Sequence, residues 1–371
     1  MVIEFEYIEE AAGLVGVVEA IHGAPRVYLD TEFESRRGGT TLCLVQLTVG
    51  HTIYVIDTVA VRDISTLGPP LAETEWVLHA GRQDVALLMT ACGLKRRPQL
   101  FDTQIAWGLC SAEHQVSLAY LLATLVDVRT EKGCQTDNWQ GRPLPEGQLR
   151  YAAEDVAYLP ALYDALQRRL EAVGRFEIVP QVCEEVHNPP PEPTTKISLG
   201  QYRNLWQLTA KQRAALVALI DWYNDLDGGA ARAAPSRKVL LSIASRLPED
   251  GRTLCRIKGV PRRFPMARAD AVVAMMRQAA DTAPDTPSGQ APTPYGSFDD
   301  LFRDAWLQCA RAEVCATAQI APELGFPQWL LKHLRAAISN DSDYAQAAAC
   351  FVGWRACLAP AWSAFCDTTR G

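Results

Sequence analysis

Asp30 and Glu32, in the run VYLDTEF from Val27 to Phe33, are carboxylates two positions apart among apolar and β-forming residues. Strand side chains alternate faces, so both acids are expected on one face, with Thr31 opposite. Like charges held side by side are unfavourable. A bound cation, protonation of one acid or exposure at a sheet edge would relieve them. Two more acids have helical settings. Asp84, in HAGRQDVALL, is expected just inside a helix that follows a strand. In YAAEDVAYL, Tyr151 and Asp155 are four apart, which puts phenol and carboxylate on one helix face. Four acids and a tyrosine suit phosphodiester hydrolysis, which needs an activated water and stabilised charge on the leaving oxygen. Two divalent metals about 3.5–4 Å apart supply both, and carboxylates provide their hard oxygen ligands.

The elements that must position these groups can be read from period and punctuation. RVYLDTEF, TTLCLVQLTV and TIYVIDT read as successive strands, the last two joined by a tight turn at Gly50 and His51. WVLHA is a further short strand, GRQDVALLMTAC has helical spacing, and QLFDTQIAWGLC reads as a strand running into a helix. From Glu146 a long amphipathic helix is expected, broken near Pro160. Strands first and helices interleaved afterwards predict an α/β domain, a mixed sheet flanked by helices. Two stretches rich in proline and small polar residues, Val186 to Lys196 and Thr282 to Ser297, divide the chain into segments of about 185, 85 and 75 residues. The two later segments carry almost only helical signals and are expected as all-α bundles. The expected domains are therefore 1–185, 197–281 and 297–371.

Composition narrows the setting. The 371 residues are 48% hydrophobic and 21% charged, enough apolar material for several cores. No apolar run approaches the roughly 18 residues of a membrane span, and the acidic N-terminus has no secretory pattern. The eleven cysteines are scattered singly, with no Cys-x-x-Cys pair, and read as small buried hydrophobes in a reducing cytoplasm. A cytoplasmic protein that acts as a monomer, away from membranes, is expected. The net charge of −7 hides an asymmetry: between Lys196 and Asp281 stand 15 Lys and Arg against 7 Asp and Glu, so a basic segment is attached to acidic ones.

LDTEF, LCLVQL, HAGRQD, FDTQIA, TDNWQGRPL and YAAEDVAYL occur in the order and at the spacing of bacterial ribonuclease D, which this chain resembles over its first 185 residues. That family belongs to the DEDD 3′-to-5′ exonucleases of the tyrosine-containing subgroup, with a ribonuclease-H-like fold. The middle segment, with LTAKQRAALVALIDWYNDLD and RIKGV, resembles the helical HRDC module shared with RecQ helicases. The last resembles a second such module more loosely, at GWRACL. The resemblance implies that Asp30, Glu32, Asp84 and Asp155 are ligands of two divalent ions, Mg²⁺ or Mn²⁺. It further implies that Tyr151 orients or helps deprotonate the attacking water, and that mononucleotides are removed from RNA 3′ ends, those of tRNA precursors in particular. The basic middle segment would track RNA by attraction to its backbone.

Other residues have two readings each. Gln46 lies on a strand beside the acids and either touches the terminal nucleotide or is a hydrogen-bonded core residue. Arg36, Arg37 and Arg82 either hold phosphates or are solvated. Lys132 and Arg142, in the loop before the Tyr151 helix, are placed to contact the substrate, whereas Trp139 reads as packing. His79 reads as a core histidine and Asp102 as a helix N-cap. The rival functions are a DNA proofreading or repair exonuclease, since the acids cannot tell the sugars apart, and a non-catalytic RNA-binding scaffold, against which stands the presence of every motif acid.

Overall fold

The computed structural model describes residues 3–36, 39–130, 138–188, 196–202, 204–226, 233–287, 297–338 and 346–369. β2 (Arg26–Arg36) and β3 (Gly39–Val49) form a long antiparallel pair. β4 (Thr52–Asp57) returns along β3 after a turn in which Gly50 has φ 61°, a left-handed backbone that glycine adopts without strain. On the other side of β2 lie β5 (Glu75–Leu78) and β6 (Leu100–Asp102), both parallel. β1 (Glu6–Ile8), which has too few residues to show alternation, pairs in parallel with β4, so the order is β1-β4-β3-β2-β5-β6. The expected mixed sheet is thus present, with β2, the strand of Asp30 and Glu32, in its interior. The long helix expected from Glu146 is two helices, Glu146–Ala157 and Leu159–Ala172. Pro160 lacks the N–H that a continuous helix would need, and it sits instead in the first turn of the second helix.

The chain forms two compact units, Met1–Pro189 together with Phe302–Gly371, and Pro190–Leu301. The segment 297–371, expected as a bundle of its own, therefore differs from that reading over nearly all its length. Leu307, Val314, Phe326, Leu330 and Trp362 belong to the same buried core as the sheet. Local polar contacts lock it there. Arg355 donates to both oxygens of Glu185 at 2.7 Å and to the carbonyl of Leu324 at 2.8 Å, and the Trp354 indole donates to Glu185 at 2.9 Å. Arg175 donates to the carbonyls of Leu109 and Ala318, and Ala321 N–H to that of Gly108 at 2.7 Å. The approach is close enough that a Cβ at Gly108 would lie 2.7 Å from Cδ1 of Leu324, which would have to shift.

The second unit is helical and has a separate core of Leu216, Leu219, Leu240, Ile243, Leu254 and Met276 among others. Its helix Ala210–Asn224 starts with a capping box in which Thr209 and Gln212 satisfy each other's backbone N–H. The turn Lys258-Gly259-Val260 needs its glycine, which has φ 98°. Among the described residues no helix is long and apolar enough to cross a membrane.

Candidate active site

Strand alternation puts Asp30 and Glu32 on one face of β2, and the helix Glu146–Ala157 packs across that face to add Asp155. One carboxylate oxygen from each of Asp30, Glu32 and Asp155 lies within 4.8 Å of the others. The three line a pocket of about 420 Å³ together with Asp84, Tyr151, His79, Gln104 and residues Val116 to Leu118. Burial, then the charges of Asp84, Asp155 and Glu32, push the Asp30 carboxyl well above the usual range. Burial pushes Asp155 up to about 7, against a hydrogen bond from Tyr151 that lowers it.

This donor set fits divalent cations. The oxygens are hard ligands, they crowd together at a cost in electrostatic energy that a cation removes, and no lysine or arginine lines the pocket among the described residues. Gln46 adds to the fit. It stands opposite Asp30 in the β2–β3 register, hence on the same face, and is fully buried with neither amide atom hydrogen-bonded among the described residues. A buried amide of this kind calls for a partner, and the water shell of a bound ion is one.

Asp84, the fourth expected ligand, is the third residue of the helix Arg82–Ala91 and lines the same pocket. Its carboxyl accepts a hydrogen bond from the hydroxyl of Thr31, and it lies outside the cluster of three. The sequence contained Thr31 but no sign of this contact. Tyr151 hydrogen-bonds Asp155 one helical turn on, on the shared helix face that their spacing implies. Trp139 is buried beside it, with ring centroids 6.3 Å apart.

The lesser candidates divide. Lys132 and the side chains of Arg36 and Arg37 lie outside the described residues. Arg82 stands exposed at the first position of the Asp84 helix. Gln46, read as either a nucleotide contact or a hydrogen-bonded core residue, is buried but makes no side-chain hydrogen bond among the described residues. Arg142, expected at the substrate, instead donates to both oxygens of Asp57, through Nε and through Nη2 at 2.6 Å, and to the carbonyls of Trp139 and Gly141 at 2.8 and 2.7 Å. Asp57 also accepts from the Tyr7 hydroxyl at 2.6 Å and from the N–H groups of Val59 and Ala60. Although burial alone would raise its pKa, Arg142 and Tyr7 more than offset this and hold it below the usual carboxylate range. Arg142 therefore pins the loop that leads into the Tyr151 helix. Nothing local in the sequence marks Asp57, 85 residues away, as its partner. The signal that existed was the strand-final Asp-Thr pair, shared by Asp57 and Asp102, which marks an acid at the start of a helix. Asp102 does cap the helix Thr103–Gly108, as expected. His79, read as a core histidine, is instead half-buried and lines the pocket, held by Thr103 and Val116 at 2.9 and 3.0 Å.

A family model described as 3′-5′ exonuclease matches residues 5–171. Over 334 residues the chain is 33% identical to Ribonuclease D of Gluconacetobacter diazotrophicus, covering 84% of this chain and 81% of the relative. To Ribonuclease D of Acidiphilium cryptum it is 27% identical over 360 residues, 94% of this chain and 89% of the relative. The fold is similar to that of Escherichia coli RNase D, described as an exoribonuclease involved in structured RNA processing, with a TM-score of 0.67, 24% identity and 99% of both chains covered. A third of the residues shared over four-fifths of both chains, with the acids of the exonuclease motif lining one pocket, means that the chain belongs to the ribonuclease D family, the 3′-to-5′ exoribonucleases.

Proposed function

We propose that the pocket of Asp30, Glu32, Asp84 and Asp155 holds two divalent cations, Mg²⁺ or Mn²⁺, and that the enzyme trims single-stranded 3′ ends of RNA to nucleoside 5′-monophosphates. The observation that carries this is the meeting of three carboxylates within 4.8 Å in a pocket free of lysine and arginine among the described residues. The cations would supply the activated water and offset charge on the leaving oxygen. The chain's own residues do the rest. Asp30, Glu32 and Asp155 provide ligand oxygens. Asp84 is held to β2 through Thr31. Tyr151, fixed by its bond to Asp155, orients the water; free tyrosine ionises near pH 10, so orientation requires less of it than deprotonation. Attack at phosphorus breaks the bond to O3′, releasing the terminal mononucleotide and leaving a 3′-hydroxyl on the shortened chain.

The RNA class is tRNA precursors, the substrate implied by the family motifs, and the structured-RNA processing described for the Escherichia coli protein accords with it. The second unit would be an HRDC-type module that holds the RNA backbone. Its stretch 252–263 contains no acid, and Arg252, Arg256, Lys258, Arg262 and Arg263 are all exposed there. The segment 297–371 would be a looser relative of that module, built onto the catalytic unit.

Digestion of a 5′-labelled single-stranded RNA with Mg²⁺, Mn²⁺ or chelator tests the reading, beside a matched DNA. A ladder shrinking from the 3′ end, dependent on metal and faster on RNA, is expected. Internal cuts, or undiminished activity in chelator, would overturn it. Tyr151→Phe is expected to slow single-turnover hydrolysis by a factor on the order of 10², the cost of a misplaced reactant, while cations bind nearly as well. Parallel loss of cation binding and rate would make Tyr151 structural instead.

A further inference from the structure

Asp102 ends β6, and in sequence it is no more than a cap. In the structure its buried carboxylate accepts four hydrogen bonds. Oδ1 takes the N–H groups of Ala80 at 3.0 Å and Gln104 at 2.9 Å. Oδ2 takes the N–H of Gly81 at 3.0 Å and Nε2 of His187 at 3.0 Å. Both partners are deep inside, Asp102 2% and His187 5% exposed. Only the bond to Gln104 is needed for capping.

Ala80 and Gly81 form the turn between β5 and the helix Arg82–Ala91, and this turn aims Asp84. It is not a conformation the chain adopts unaided. Ala80 has φ 52°, in the left-handed region that residues other than glycine rarely occupy. Gly81 has no room for a side chain, since a Cβ would lie 2.7 Å from that of Leu78. The two N–H groups held by Asp102 keep the turn in that shape. The neighbours of Asp102 fix the next wall of the pocket. His79 must donate from Nε2 to the Val116 carbonyl, which can only accept, so its Nδ1 accepts from the Thr103 hydroxyl. Gln104 donates to the same carbonyl at 2.8 Å.

We propose that Asp102, backed by His187, is a positioning residue of the cation site, fixing the Ala80–Gly81 turn and through it the carboxyl of Asp84. This rests on the reading that the acids bind cations. Groups behind metal ligands commonly change metal affinity or activity about 10–100-fold when altered. Asp102→Asn keeps one oxygen but turns an amino group onto at least one backbone N–H whichever way it lies, that of Gly81 or those of Ala80 and Gln104. In the full-length protein, calorimetry with Mn²⁺ alone should show binding weakened about 10–100-fold. The Mn²⁺ concentration for half-maximal hydrolysis should rise in step, with much of the rate recovered at saturation, and a cooperative melt retained.

His187→Gln retains an N–H donor for Oδ2, whereas His187→Leu removes it. The glutamine variant is expected to bind Mn²⁺ nearly as wild type and the leucine variant about tenfold more weakly. This pair decides the matter if Asp102→Asn does not fold. Wild-type Mn²⁺ binding in folded Asp102→Asn, or equal Mn²⁺ affinity in the glutamine and leucine variants, would overturn the proposal. Failure of the wild-type protein to bind Mn²⁺, or binding undiminished by Asp30→Asn, would refute the cation-site reading itself and this inference with it.

Discussion

Asp30→Asn is expected to fold, to lose hydrolysis by a factor of about 10²–10³ or more, and yet to melt higher than the wild type in chelator. The loss has the size found when a group that stabilises transition-state charge is removed. The gain in melting temperature follows from what surrounds the residue. Asp30 is a half-buried carboxylate facing Asp84, Asp155 and Glu32, and without a cation its ionisation opposes folding. Asparagine has nearly the same volume and none of that charge. About 1 kcal/mol recovered would raise the transition by roughly 2–4 °C in a domain of this size. Added Mn²⁺ should reverse the order, since a ligand at 100 times its dissociation constant stabilises the protein that binds it by about 2.7 kcal/mol. The sign with pH is also fixed. Asp155 has its folded pKa raised to about 7, so its cost to stability is present above that pH and is relieved as pH falls from about 7 toward the unfolded value near 3.9. The cation-free protein should therefore gain stability on mild acidification while cation affinity falls, and Asp155→Asn should lessen both slopes. Turnover close to wild type at saturating cation would sink the ligand assignment. A lower melt in chelator would make Asp30 a structural residue.

Chemistry was more legible in this sequence than architecture. Two acids at strand period and a tyrosine four residues before an aspartate are local patterns, and their faces follow from geometry alone; the structure places Asp30, Glu32, Tyr151 and Asp155 around one pocket accordingly. Asp84 shows the limit. Its place near the start of a helix could be read, but its bond to Thr31 joins residues 53 apart. Arg142 shows it again, because a loop arginine reads alike whether it meets a phosphate or a buried aspartate. β1 and the helix Leu14–Ile21 escaped notice, the first because three residues cannot show a period. The proline-rich stretch at 282–297 suggested a boundary, and one compact unit does end close by, at Leu301. What no linker reveals is that the chain then returns to its first unit. That depends on its helices meeting helices and loops more than a hundred residues earlier, at Gly108, Arg175 and Glu185, and periodicity shows only that a face is apolar.

This return carries the second large prediction: removal of Phe302–Gly371 should keep the catalytic unit from folding, whereas excision of Pro190–Leu301 behind a long Gly/Ser linker should spare the chemistry. Trp362 and Phe326 are fully buried, with Trp362 packed on Phe351 and Trp306 at centroid distances of 5.5 and 5.6 Å. Truncating one large buried aromatic side chain costs about 3–5 kcal/mol, against a total stability of about 5–15 kcal/mol for a typical protein. Losing the whole segment also takes the Ala318 carbonyl from Arg175 and uncovers the core it shares with the sheet. Excising the second unit removes a separate core and leaves every proposed ligand in place. It also removes the exposed cations around the Lys258-Gly259-Val260 turn, and each lost phosphate contact should lower the slope of log affinity against log salt by about 0.7 on single-stranded RNA. RNA affinity should then fall most at low salt, while turnover of a short, saturating oligonucleotide persists. A cooperative melt and normal turnover without Phe302–Gly371 would show that the shared core is dispensable. An unchanged salt slope after excision would leave the basic surface with no part in holding RNA, and loss of saturated turnover in a folded product would mean that the second unit helps to build the active site.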